Sequence, residues 1–115
     1  SCSDGNELIP EIAHQKGLKT VVGAWISEDK EKNEREIQSL ISLANAGFVD
    51  IVAVGNEVLH RNELSEEELI NYINRVKTAL PNVTVSYVDA YYQFLDRPNL
   101  VSNCDVLLVN FYPFW

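Results

Sequence analysis

One glutamate in the sequence stands where a carboxyl could do acid–base chemistry. Glu57 follows an apolar run and a Gly-Asn pair in the segment IVAVGNEV. A carboxyl at the end of an apolar strand is partly removed from water, which favours the protonated form that a general acid needs. Asn56 beside it could hydrogen-bond a hydroxyl group of a substrate. Two structural alternatives stay open, in which Glu57 caps the following turn or pairs with Arg61.

The other candidate side chains also follow apolar runs, and they are rich in aromatic rings and carboxylates. In parallel α/β folds, functional groups gather at the carboxyl ends of the strands. Aromatic faces stack on sugar rings, and carboxylates carry out glycosidic chemistry. We therefore predict a carbohydrate cleft built from Trp25, Asn56, Glu57, His60, Arg61, Asp89, Tyr112 and Trp115. Core packing is an equal alternative for the two tryptophans, and a structural hydrogen bond is one for Asp89.

Alternating strands and helices must position these side chains. We predict strands over residues 19–26, 50–54, 83–88 and 105–111. Amphipathic helices are predicted over 7–16 and 33–46, and a third runs to Leu80 from a capping box of Ser65 and Glu68. Residues 91–103 are expected to be irregular or weakly helical and broken by Pro98.

This alternation predicts an α/β fold with a parallel sheet. The strands are continuous apolar runs, which is typical of a sheet covered on its faces, and the intervening helices make βαβ units. Such a sheet belongs to a doubly wound fold or to a barrel. No strand is followed by a glycine-rich turn of the dinucleotide-binding type, so no nucleotide cofactor is indicated.

Charge and residue content limit which partners, metal sites and disulfides we expect for the chain. The chain has 9 basic and 17 acidic residues, a net charge of -8, which disfavours nucleic acid and anionic membranes. No apolar run is long enough to span a membrane. Cys2 and Cys104 have no metal or redox spacing and are expected to be reduced thiols, although a disulfide stays open. His60 has no partners at ligand spacing, so no metal site is predicted.

Both ends of the chain suggest an internal piece of a longer protein. The 115 residues include no methionine, and the last ten, VLLVNFYPFW, are strongly apolar. We expect residues 1–115 to form a single partial domain. Its uncovered sheet edges should favour self-association.

Three segments resemble glycoside hydrolase family 17, the β-1,3-glucanases and glucanosyltransferases among the clan A barrel hydrolases. The first is VVGAWIS together with the NEREI that comes after it. The second is GNEVLHR, and the third is the terminal VNFYPFW. The resemblance covers nearly the whole chain. It implies parallel βα units of an incomplete TIM (β/α)8 barrel, from about its second helix to its sixth strand, and a β-glucan substrate handled without a cofactor.

The resemblance also implies roles for individual residues. Glu57 matches the acid/base that protonates the leaving glycosidic oxygen, and Asn56 matches the residue that holds the sugar 2-hydroxyl. Tyr112 matches a tyrosine that lines the cleaved subsite near the nucleophile. The resemblance further implies that the strand ends carrying Trp25, Asp89 and Trp115 form the glucan cleft, and we expect His60 to line it.

Retaining hydrolysis needs a second carboxyl about 5–5.5 Å from the first. In family 17 this nucleophile comes from the seventh barrel strand, which the resemblance places after residue 115. We therefore expect the full-length parent to hydrolyse β-1,3-glucan and residues 1–115 alone to be inactive. A glucanosyltransferase is one alternative, and a barrel fragment that binds carbohydrate without cleaving it is another.

Overall fold

The computed structural model describes residues 1–113 as helices and strands that alternate along the chain. The elements are α1 (Leu8–Gln15), β1 (Val21–Ala24), α2 (Lys30–Asn45), β2 (Ile51–Asn56), α3 (Glu66–Ala79), β3 (Thr84–Ala90), a 3₁₀ turn (Tyr91–Gln93), α4 (Pro98–Asn103) and β4 (Val106–Asn110). Each predicted strand and helix is present, with ends shifted by a few residues.

The four strands form one parallel sheet in the order β1-β2-β3-β4. Each strand pairs with the next in sequence, so the order never reverses as it does in a doubly wound sheet. Parallel crossovers are right-handed, so a sequential order places the connecting helices α2, α3 and α4 on one face. The neighbouring pairs α2–α3 and α3–α4 are in contact, as this arrangement requires. The sheet is therefore a four-strand stretch of a (β/α) barrel.

Local capping decides where the helices begin. The helix predicted from residue 33 begins at Lys30, because the Asp29 side chain accepts a hydrogen bond from the Lys32 N–H at 3.0 Å. The capping box of Ser65 and Glu68 is confirmed. Residues 91–103 are weakly helical and interrupted, as expected, because the 3₁₀ turn ends at Gln93 and Pro98 begins the short helix α4. Pro98 lies in the first turn of α4, where its missing N–H leaves no hydrogen bond unmade.

The core lies between the helices and the central strands. Its fully buried members come from the predicted apolar faces of α2 and α3 and from β2 and β3, and they include Ile37, Leu40, Val52, Val54, Leu69, Ile73, Val76, Val85 and Tyr87. Both cysteines are free, as expected, with Cys2 buried and Cys104 half-buried. This core fixes the strand ends that carry the candidate site.

The outer elements are much less covered than the centre. In α1, Leu8, Ile9 and Ile12 are 65%, 60% and 52% exposed, and Pro10 is the buried residue of this helix. The predicted amphipathic helix therefore forms, but its apolar face has little to pack against within residues 1–113. No helix in this part of the chain is long and apolar enough to cross a membrane.

Candidate active site

Glu57 lies at the carboxyl end of β2, in a turn that redirects the chain. The β2–β3 pairing shifts register between Ala53 and Asn56, and Gly55 has a φ of 91°. A Cβ atom on Gly55 would lie 2.8 Å from Cγ2 of Val58, so only glycine fits there. Glu57 itself has a φ of 56°, a left-handed conformation that costs about 1–3 kcal/mol outside glycine. Such strain in a non-glycine residue is typical of functional sites.

Two contacts hold Glu57 above the neighbouring strands. Its backbone N–H donates to the Val88 carbonyl of β3 at 2.8 Å. Its carboxyl oxygen Oε1 accepts a hydrogen bond from Nδ2 of Asn110, the last residue of β4, at 3.0 Å. The half-buried carboxyl is therefore tied to β4 rather than to Arg61. The ion-pair alternative that the sequence left open is not what the structure shows.

Arg61 supports the rim from within instead of pointing at a substrate. Its guanidinium lies 4.5 Å from the centre of the Trp25 ring, donates to the Ile26 carbonyl at 3.2 Å and pairs with Glu63 at 2.6 Å. It also donates to the Asn56 carbonyl. Arg61 thus joins the end of β1 to the end of β2. These contacts give Arg61 a structural role, and its contact with substrate stays a prediction.

Asp89 faces the interior, which corrects its predicted place in the cleft. The residue is fully buried, and its Oδ1 accepts from the Ala90 N–H at 2.7 Å. Its Oδ2 accepts from the Tyr87 hydroxyl and from the His60 N–H, the latter at 3.4 Å. The Tyr87 oxygen in turn accepts from the Leu59 N–H at 3.1 Å. Asp89 and Tyr87 therefore hold the turn that follows Glu57.

Burial of this pair has an electrostatic consequence. Burial, together with the hydrogen bond to Asp89, raises the pKa of Tyr87 well above its ordinary value. The hydroxyl consequently stays protonated and keeps donating to Asp89 throughout the range in which proteins remain folded. The structural alternative for Asp89 accounts for every contact of its carboxylate.

Glu36 is a buried acid that the sequence analysis missed. It lies on α2 beside Ile37, and its oxygens accept from the Trp25 N–H at 2.6 Å, the Cys2 N–H at 3.2 Å and the Ser1 hydroxyl at 2.7 Å, and from the Ser3 hydroxyl. Burial raises the pKa of Glu36, but these hydrogen bonds outweigh burial and leave it below its ordinary value. A charged residue on an apolar helix face is the signal that could have revealed it.

An open cavity of about 520 Å³ lies beside the Glu57 turn. It is lined by His60, Tyr91, Tyr92 and Tyr112. The Tyr92 hydroxyl and Nδ1 of His60 are 2.5 Å apart, and the Tyr91 ring stacks on Phe111 at 5.5 Å. Two of the predicted site residues, His60 and Tyr112, line this cavity.

The site predicted from the sequence did not include three residues that lie at this rim. Tyr91 and Tyr92 directly follow β3, and Asn110 ends β4, so a list of every polar or aromatic residue at a strand end would have included them.

Trp25 is half-buried at the end of β1. Trp115 lies outside the described residues. Within residues 1–113, no group of three His, Cys, Asp or Glu side chains could hold a metal ion.

The sequential parallel sheet with a carboxyl at its rim is the architecture of barrel glycoside hydrolases, and comparison with known proteins agrees. The sequence profile of the BtgE/BtgC glycoside hydrolase domain matches residues 1–115. The chain therefore belongs to the BtgE/BtgC glycoside hydrolase family, and the resemblance to family 17 is confirmed.

Curated relatives and solved structures give the same picture. The chain is 29% identical to a glucan 1,3-beta-glucosidase of Arthroderma benhamiae, over 99% of the chain and 38% of that protein. It is 25% identical to the glucan 1,3-beta-glucosidase BGL2 of Candida albicans, over 98% of the chain and 42% of the relative. The beta-1,3-glucanosyltransferase of Rhizomucor miehei, solved as an active-site mutant in complex with laminaritriose, superposes with a TM-score of 0.87 at 28% identity, covering 100% of this chain and 45% of that one.

The chain thus spans less than half the length of these relatives. Its strands match a contiguous part of a barrel.

Proposed function

We propose that Glu57 is the acid/base of a retaining glycoside hydrolase that acts on β-1,3-glucan. The observation that carries the proposal is the position of the Glu57 carboxyl. It lies half-buried at the carboxyl rim of a family 17-type sheet and is held by Asn110 beside an aromatic cavity. A protonated carboxyl there donates its proton to the leaving glycosidic oxygen, and the carboxylate then removes a proton from the attacking water.

The nucleophile in this proposal comes from outside residues 1–113. A retaining mechanism needs a second carboxyl about 5–5.5 Å from the acid/base. Asp89 is the other carboxylate at a strand end, but it is buried and engaged by Tyr87, Ala90 and His60. The family resemblance places the nucleophile on the seventh barrel strand, which is the strand that follows β4. Residues 1–115 alone are accordingly proposed to be inactive.

Substrate binding is proposed for the rim residues that remain available. The Asn56 backbone carbonyl accepts from Arg61, whereas its side-chain amide makes no hydrogen bond within residues 1–113, which leaves the amide for the sugar 2-hydroxyl. Tyr112 and His60 line the cavity, and its size falls in the range of small-ligand sites. Trp25 presents a half-buried ring, and Trp115 remains a prediction from the resemblance.

Two other functions use the same rim. The Rhizomucor miehei protein is a glucanosyltransferase. Such an enzyme differs from a hydrolase because a sugar, rather than water, accepts the glycosyl group. Mass spectrometry of the products would separate the two, because transfer lengthens some chains. A silent binding module would bind laminarin without any cleavage.

Substitution of Glu57 in the full-length parent tests the proposal. Glu57→Gln should lower laminarin turnover by about 10²–10⁴-fold, which is the usual contribution of a general acid, while binding measured by calorimetry is retained. Glu67→Gln, an exposed acid in α3, serves as the matched control. Unchanged turnover in Glu57→Gln would contradict the acid/base role. Binding without turnover in the wild-type parent would favour the silent module.

A further inference from the structure

The Glu57 carboxyl has one hydrogen-bond donor among residues 1–113, and that donor lies 53 residues away on another strand. Asn110 Nδ2 donates to Oε1 at 3.0 Å, whereas Oε2 receives no hydrogen bond from this part of the chain. An ionised carboxylate can only accept hydrogen bonds, so the Asn110 amide must turn its nitrogen rather than its oxygen toward Glu57. The two oxygens of the carboxyl are therefore not equivalent.

The relative placement of the two residues comes from β3, which lies between their strands. Asn110 is held by its pairing with Ala90 in the β3–β4 register. Glu57 is held by its N–H bond to Val88 at the end of the same strand. One central strand thus positions both partners. Since both are held by backbone pairing, the side-chain contact does not depend on a mobile segment.

We propose that Asn110 is a positioning residue for the acid/base, orienting the Glu57 carboxyl through Oε1 and leaving Oε2 to exchange the proton. This inference rests on the proposed function of Glu57. An amide donor stabilises the carboxylate more than the neutral acid, because hydrogen bonds to a charged acceptor are stronger. Asn110 therefore sets the direction in which the Glu57 carboxyl faces.

Two variants of the full-length parent test the role of Asn110. Asn110→Ala removes the donor, and we expect kcat to fall about tenfold and the alkaline limb of the kcat/KM profile to move to higher pH. KM for laminarin should change less than about twofold, because the contact is to the enzyme's own carboxyl. Asn110→Asp keeps the shape but adds a negative charge beside Glu57, so it should move the alkaline limb further in the same direction.

The controls separate this inference from the proposed function. Asn71→Ala, at an exposed position of α3, should leave the pH profile unchanged. An alkaline limb that stays at the wild-type pH in both Asn110 variants would overturn the inference, even if kcat falls. If Asn110→Ala does not fold, the isosteric Asn110→Asp still gives the profile. Full activity in Glu57→Gln would instead overturn the acid/base role itself.

Discussion

The centre of the sheet and its outer elements differ in how completely residues 1–113 surround them. In β2 and β3, Val52, Val54 and Tyr87 are fully buried, whereas Leu107 of β4 is 37% exposed and Leu8 of α1 is 65% exposed. The turn that carries Glu57 belongs to the enclosed centre, and its bonds to Tyr87 and Asp89 are internal. An amphipathic sequence pattern is enough for an outer helix such as α1 to form. It does not supply the neighbouring elements that would cover the apolar face of that helix.

Self-association is the largest effect expected from this contrast. The isolated 115-residue chain exposes apolar side chains on β4 and α1, so we expect its mass in light scattering to rise with concentration. Leu107→Lys should reduce the association by placing a charge on the edge strand, while Asn74→Lys on exposed α3 should not. A monomer at every concentration, with a sharp cooperative melt, would argue against this difference between edge and centre.

A pair of glycine substitutions compares the two regions directly. In the centre, Gly55→Ala adds a Cβ that meets Val58 and also forces alanine into a left-handed backbone, so we expect the free energy of unfolding to fall by about 3 kcal/mol. Gly47→Ala after α2 adds the same backbone strain with nothing within 4 Å, and should cost about 1–2 kcal/mol. Urea unfolding at low protein concentration measures both. Equal losses would mean that packing around the Glu57 turn is no tighter than at the surface.

Acid should weaken the attachment of the first residues to the centre. The pKa of folded Glu36 lies below its ordinary value of 4.5, so the ionised carboxylate contributes stability above about pH 4.5, and this contribution is lost as pH falls through the lower folded value. Glu36→Gln should flatten the pH dependence of the unfolding free energy in that acidic range. Glu28→Gln, an exposed acid, is the control. An unchanged slope in Glu36→Gln would show that these hydrogen bonds do not favour the charged form.

Much of the fold could be predicted because its signals are local. The Ser65–Glu68 box and the apolar runs of the strands act over a few residues, and each prediction based on them is confirmed. Pro98 begins α4 and separates it from the 3₁₀ turn, because a proline ring is tolerated in the first turn of a helix but not in its interior. The apolar runs alone left a barrel and a doubly wound sheet open, the family resemblance predicted the barrel, and the strand order confirms it.

The candidate site was predictable in part for the same reason. The position of Glu57 at a strand end follows from the apolar run before it, and His60 and Tyr112, both named from the sequence, line one cavity. Arg61 and Asp89 stand at similar strand ends, yet their charged groups are engaged internally. Position along the chain indicates which edge of the sheet a residue occupies, but not whether its side chain has already found a partner.

By itself, the sequence determined the alternation of strands and helices, the parallel character of the sheet and the placement of a glutamate after β2. Periodicity and capping operate over one or two turns of chain, and these features need nothing more. Only the tertiary structure decided that Asn110 holds the Glu57 carboxyl, that Arg61 covers Trp25 and that Asp89 supports the turn from below. Those contacts join residues brought together by strand register and packing, which no local pattern encodes.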